Sequence, residues 1–366
     1  MKWLLSIGST ASYYGFHADK CNTCNHIESE YNSCRDRHCP KCQGISRRKW
    51  IDKRLENLLP VPYYHGVFTL PHMLGSIISH NRRLIYELLF SKAAETLLTF
   101  GNDPRWLGGE IGFFGVLHTW GQKLWQHPHV HFIIPGGALT PDGQWTAPKY
   151  PGKFLFPVHA LSKVFRGKFI ERLKKAYHDG SLSIPEEEAE LNSTDFFERW
   201  VDQLVGRKWV VYCKPPYGDA DKVVKYVGRY THRVAISNSR IIGIENDLIC
   251  FQYKDYKSGI KTRKTMSLDI HEFIRRFLMH VLPSGFHKIR HYGFLANGRC
   301  KAAISQIRDQ LNSLGQEPPQ ADQATGKKCP RCERGILIPF IIKDAFGRIV
   351  SLKEKYCQTA LAFDTS

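Results

Sequence analysis

The sequence predicts an α+β protein in three parts. A small cysteine-rich metal-binding domain spans residues 1–60, a mixed domain of strands and helices spans 61–282, and a basic C-terminal region spans 283–366. Three observations support this division. Five of the eleven cysteines fall within the first 42 residues, and Pro60 and Pro62 punctuate the exit from that segment. Beyond Pro62 the apolar spacing alternates between the strand and helix periods. The stretch Gln310 to Lys328, with Gly315, Pro318 and Pro319, is polar and reads as a linker. Hydrophobic residues make up 42% of the 366 and aromatics 12%, enough to build a core, which excludes wholesale disorder. No apolar run approaches the roughly 18 residues of a membrane-spanning helix. The opening Met1-Lys2-Trp3-Leu4-Leu5 is broken by Ser6, Gly8 and Ser9, so it reads as mature chain and not as a signal peptide.

The elements follow in order. Tyr63 to Leu70 is strand-like, and Ile77 to Phe100 carries apolar residues at helical spacing. Ile111 to Trp120 and His129 to Ile134 are β-rich. Leu161 to Tyr177 and Phe196 to Val205 predict helices, with the run Glu186-Glu187-Glu188 after Pro185 as a solvated helix start. Lys208 to Cys213 is a short strand and Ala220 to Tyr230 a helix. Leu248 to Tyr253 and Ile260 to Met266 pair as a hairpin, and Leu268 to His280 forms another helix.

Charge narrows the partners. Fifty-two Lys and Arg against 34 Asp and Glu leave a formal charge of +18, a surplus suited to a polyanion, whose condensed counterions are released on binding. The surplus is clustered. Arg35, Arg37, Lys41, Arg47, Arg48, Lys49, Lys53 and Arg54 face only Asp36 and Asp52 within that stretch, and Lys288, Arg290, Arg299 and Lys301 share a segment without a carboxylate. Clustering favours nucleic acid over even solubilisation.

The cysteines bunch in Cys-x-x-Cys pairs in a long chain with no visible secretory signal, which points to a reducing cytosol and metal binding. Cys21 and Cys24, with Cys39 and Cys42, form two chelating pairs able to close a tetrahedron around a structural Zn²⁺ ion. Cys34, His26 and His38 lie close enough to compete. Such a site contributes folding energy and would hold the Arg35 to Arg54 cluster rigid against DNA. The later pair, Cys329 and Cys332, has only Cys357 after it and reads as a partial motif.

The most informative segment is His127-Pro128-His129-Val130-His131-Phe132. In a strand His129 and His131 point to one face while Val130 and Phe132 point to the other, so two imidazoles can share one divalent ion. On the helix Lys225-Tyr226-Val227-Gly228-Arg229-Tyr230, Tyr226 and Tyr230 share a face, flanked by Lys225 and Arg229. A phenolate is a competent nucleophile at a phosphodiester, provided nearby cations favour its ionised form over a free pKa of about 10. A histidine-bound ion would polarise the scissile phosphate.

Together these motifs resemble the two-tyrosine HUH endonucleases (His, hydrophobic, His). The module Ser33 to Gln43 resembles the N-terminal zinc-binding domain of rolling-circle transposases of the insertion-sequence ninety-one family. Val67 to His72, Leu117 to Gln122, Tyr226 to Ile236 and Tyr253 to Tyr256 also match, over roughly residues 15 to 300. The resemblance implies an antiparallel sheet flanked by helices, cleavage and transfer of single-stranded DNA at transposon ends through a 5′-phosphotyrosine, Mg²⁺ or Mn²⁺ at the site, and a cytoplasmic, nucleoid-associated protein. It makes Tyr226 and Tyr230 the nucleophiles and His129 and His131 ligands, with His118 favoured as the third and Gln122 and His127 as alternatives. His232 contacts phosphate or caps the helix. Arg35, Arg37, Arg47, Arg48, Lys225 and Arg229 are the expected DNA contacts. The alternatives are a replication initiator or relaxase of the same chemistry, and a zinc protein that only binds nucleic acid.

Overall fold

In the computed structural model the described residues are 15–32, 36, 38, 39, 50, 51, 54, 57–214, 228, 235–255, 262–313, 328–343 and 349–351. The strands are β1 Phe16–Cys21, β2 Ile27–Tyr31, β3 Tyr63–Thr69, β4 Phe113–Trp120, β5 Gln126–Pro135, β6 Ala138–Leu139, β7 Trp145–Thr146, β8 Val211–Lys214, β9 Ile241–Glu245, β10 Leu248–Asp255, β11 Thr262–Asp269, β12 Ile289–Tyr292, β13 Leu337–Lys343 and β14 Ile349–Ser351. The helices are α1 Gly75–His80, α2 Arg82–Asn102, α3 Val158–His178, α4 Thr194–Gly206, α5 Ile270–Leu278 and α6 Cys300–Ser313. The protein is α+β, and every pairing between these strands is antiparallel. Among the described residues no helix is long and apolar enough to cross a membrane.

The chain divides into two compact units, and not at the boundaries expected. One comprises Met1–Ser46 with Ala321–Ser366, the other Arg47–Gln320. The first holds a four-stranded sheet in the order β14-β13-β1-β2, so the C-terminal segment pairs with the N-terminal one. Residues 283–313 belong to the larger unit: β12 is an edge strand of its sheet, and α6 buries Ala303, Ile304, Ile307 and Leu311 on one helical face.

The larger unit is built on a five-stranded sheet ordered β12-β4-β5-β3-β8. Strand alternation gives it two different faces. One buries Tyr64, Phe68, Phe113, Leu117, Val130, Phe132 and Ile134 with α2 and α3, in a core where Phe68 and Phe132 meet edge to face at 5.7 Å between centroids. The other carries Tyr63, Phe114, Val116 and Ile133, which pack with α6, Leu58, Leu59, Trp50 and Ile51.

Local departures have local causes. The single helix expected from Ile77 breaks at Asn81, whose side-chain amide donates to the carbonyls of Ile77 (2.9 Å) and Ser183 (2.7 Å) and accepts from the Ser183 amide (2.8 Å). The expected hairpin of β10 and β11 is present and gains a third strand, β9, through a two-residue turn in which Asn246 and Asp247 both take positive φ. The acidic run after Pro185 forms a 3₁₀ turn, in which Glu187 accepts a hydrogen bond from Ser76 at 3.0 Å.

Candidate active site

The second face of the five-stranded sheet carries histidines where its apolar cover ends. Register places His118 of β4 directly opposite His129 of β5, and His131 between Val116 on one side and Val67 on the other. His118, His129 and His131 therefore share one face on adjacent strands, with ligand nitrogens all within 4.8 Å of one another. Centroid separations are 5.3 Å (His118–His129), 4.6 Å (His118–His131) and 4.8 Å (His129–His131). These are three nitrogen donors of the kind that first-row divalent ions accept.

The rings are oriented by their neighbours. His129 Nδ1 donates to the carbonyl of His127 at 2.6 Å. His131 Nδ1 lies 2.8 Å from Nε2 of His65, and these two rings stack nearly parallel at 5.1 Å. With Nδ1 engaged in both, Nε2 is the nitrogen that each presents as a ligand. Of the alternatives, Gln122 is directed elsewhere: its side-chain oxygen accepts from the Lys254 amide and its carbonyl from Arg240. His127 lies close by, stacked on His72 at 5.2 Å.

Burial sets the protonation state. Desolvation pulls His129 down to about 4 and His131 well below the ordinary imidazole value, with neighbouring histidines adding to the effect. His65 is held at about 4, first by burial and then by Lys214. Near neutral pH these rings are neutral, as ligation requires.

The same physics predicts acid lability. His280, buried between Thr119 and the carbonyl of Leu124, is pushed down to about 4 by desolvation. Between that value and the unfolded value of about 6.5 the unfolded chain binds more protons, so stability is lost as pH falls through this window. Urea midpoints should show about 2 kcal/mol of loss from this group between about pH 7 and pH 5. The variant His280→Gln should flatten that slope, and an unchanged slope would show that the ring titrates normally.

His127, His129 and His131 open onto a cleft of about 450 Å³, lined also by His65, Val67, Thr69, Tyr212 and Lys214. Register explains the lining, since β8 sets Lys214 opposite His65 and Tyr212 opposite Val67. His65, Tyr212 and Lys214 were not singled out from the sequence. Strand alternation in β3, counted back from Val67 and Thr69, was the signal that could have found His65.

The other expected site residues fare differently. Tyr226, Tyr230, Lys225, Arg229, His232, Arg35, Arg37, Arg47, Arg48, Cys34 and Cys42 lie outside the described residues. Arg290 and Arg299 are not the unopposed charges that their own segment suggests. Each forms a bidentate pair with a distant carboxylate, Glu87 and Glu110 respectively. The expected thiol set is only partly gathered among the described residues. Cys21 and Cys24 gather with Cys329 and Cys332, and Cys39 is not in this group. The pairing of β1 with β13 is the reason: it brings the distant pair beside the first, whereas chain proximity alone suggested Cys39 and Cys42.

The chain is similar to known transposases over most of its length. Residues 112–303, just over half of the chain, match the family model described as "Putative transposase", and residues 7–70 match the "Transposase zinc-binding domain". The chain is 46% identical over 344 residues to a putative transposase, y4qJ, of Sinorhizobium fredii, covering 90% of this chain and 86% of that one. It is 29% identical over 295 residues to the transposase for insertion sequence element IS801 of Pseudomonas savastanoi pv. phaseolicola, covering 79% of this chain and 68% of that one. A solved structure of the conjugative relaxase TrwC in complex with oriT DNA, metal-free, aligns at 9% identity over 69% of this chain and 72% of that chain, with a TM-score of 0.23. By its match over residues 112–303, its zinc-binding domain and its curated relatives, the chain belongs to the IS91 family of transposases with an N-terminal zinc-binding domain.

Proposed function

We propose that this transposase cleaves and transfers single-stranded DNA at transposon ends through a 5′-phosphotyrosine intermediate. Tyr226 and Tyr230 would be the nucleophiles, and His118, His129 and His131 would hold a divalent ion. The observation that carries the reading is a shared sheet face. Gly228, midway between the tyrosines, is buried, and a Cβ there would come within 2.3 Å of Ile51 Cγ1. Ile51 packs on the cluster that contains Val116 and Ile133, neighbours of His118 and His131 on the same face. Gly228, between the two proposed nucleophiles, lies against a residue of that cluster, which supports the reading.

In the proposed step a phenolate oxygen attacks phosphorus and the P–O3′ bond breaks. The 3′-oxygen leaves, takes up a proton and becomes a free hydroxyl, while the 5′-phosphate stays on tyrosine. The bond energy is conserved, so a second hydroxyl can reverse the step at a new position. An ion held by these histidines would supply Lewis-acid polarisation of the phosphate. Three neutral imidazoles, with no carboxylate in this group among the described residues, suit Mn²⁺ better than Mg²⁺. His65 orients His131, and Lys214 at the cleft wall offers a phosphate contact. Arg35, Arg37, Arg47, Arg48, Lys225 and Arg229 would hold the DNA backbone.

The test is a covalent adduct. The protein, incubated with a single-stranded terminal oligonucleotide and Mn²⁺, should yield a denaturation-resistant protein–DNA species. The double variant Tyr226→Phe, Tyr230→Phe should yield none. An undiminished adduct in the double variant would move the nucleophile elsewhere, and no adduct from folded wild-type protein would leave a zinc protein that only binds nucleic acid.

A further inference from the structure

The four gathered thiols have the geometry of a metal site already assembled. Cys21 Sγ lies 3.7 Å from Cys332 Sγ, and Cys24 Sγ lies 3.6 Å from Cys329 Sγ. A tetrahedron with Zn–S bonds of about 2.3 Å has edges of about 3.8 Å, while a disulfide would need about 2.05 Å. The spacing fits four thiolates around one zinc ion and not two disulfides.

The backbone around each pair is built alike. The amides of Thr23 and Cys24 donate to Cys21 Sγ at 3.3 and 3.4 Å, and the amide of Gly335 donates to Cys332 Sγ at 3.4 Å. After each pair the chain reverses through a left-handed residue: Asn25 at φ 58°, bonding back to the Cys21 carbonyl, and Glu333 at φ 55°, bonding back to the Cys329 carbonyl. These N–H donors stabilise thiolate charge, and the turns aim both sulfurs of a pair to one side. The two hairpins are also tied to each other, by Asn22 N to Ile336 O at 3.1 Å and Ile336 N to Asn22 Oδ1 at 2.8 Å. Gly335 permits this approach, since a Cβ there would sit 2.4 Å from Cys21 Sγ.

We propose that a single structural zinc ion, held by Cys21, Cys24, Cys329 and Cys332, closes one module from the two ends of the chain. The segment matched as a zinc-binding domain then supplies only half of this ion's ligands, and the C-terminal pair supplies the rest. Four thiolates leave no open coordination position, so the ion is structural and not catalytic. Residues 47–320 are thereby carried as an insertion between the halves of the zinc module, and that module assembles only after the C-terminal pair has been synthesised.

The test uses the full-length wild-type protein. Thiols are alkylated before and after zinc chelation and mapped by peptide mass. Cys21, Cys24, Cys329 and Cys332 should be protected together and become reactive together as the metal leaves. Chelation-dependent protection of Cys39 and Cys42 in place of Cys329 and Cys332 would overturn the assignment. As a second measurement, Cys329→Ser and Cys332→Ser should each lower zinc content by one equivalent relative to wild type. Full zinc retention in both would also overturn it. Should the serine variants fail to fold, the wild-type footprint decides alone.

Discussion

Alanine at His129 should abolish covalent adduct formation, with a loss of at least about a thousandfold, while the protein stays folded and keeps its zinc. An ion contributes several kcal/mol of transition-state charge stabilisation, and each 1.36 kcal/mol is about tenfold in rate. The ring sits on the sheet face that opens onto the cleft, opposite His118 and beside His131, so its removal would take away a proposed ligand without opening the aromatic core on the other face. His131→Ala should behave alike, with a further loss of order because its Nδ1 bond to His65 disappears. The checks are adduct yield with Mn²⁺, the thermal midpoint and zinc content on the same samples. Unfolding of both variants would make the pair packing residues, and undiminished adduct formation would remove the ion from the mechanism.

Alanine at Phe132 should cost about 3–5 kcal/mol of stability, because a fully buried ring leaves a cavity that rigid neighbours do not fill. Phe132 is 0% exposed and meets Phe68 and Phe113 edge to face, at 5.7 and 5.4 Å. Gly115 on the neighbouring strand is the space into which it fits, since a Cβ there would lie 2.5 Å from the ring. Phe132 follows His131 directly, so a collapse of this face shifts the strand that positions two imidazoles. Urea denaturation of Phe132→Ala measures the loss. A change below about 1 kcal/mol would mean that this face is not the core of the sheet.

Much of the larger unit was legible because its signals are local. Alternation along His129 to Phe132 separates a polar from an apolar face in any half-buried strand, and the structure divides those four residues accordingly. Helices α3 and α4 follow apolar spacing to within a few residues of the expected bounds. The break at Asn81 escaped because its cause, a hydrogen bond to Ser183, comes from a hundred residues away. The pairing of Arg290 with Glu87 escaped for the same reason.

By itself, the sequence determined the strand carrying His129 and His131, the alternation that turns their rings to one side, the chelating cysteine pairs and the basic surplus. All of these depend on neighbours a few positions away. Only the tertiary structure decided the register that sets His118 opposite His129, that His65 flanks His131, that Gly228 lies against Ile51 of the cluster on the same face, and that Cys21 and Cys24 gather with Cys329 and Cys332 and not with Cys39. Strand order and register bring residues together irrespective of their separation along the chain, and spacing within a segment carries no record of which distant strand will lie beside it.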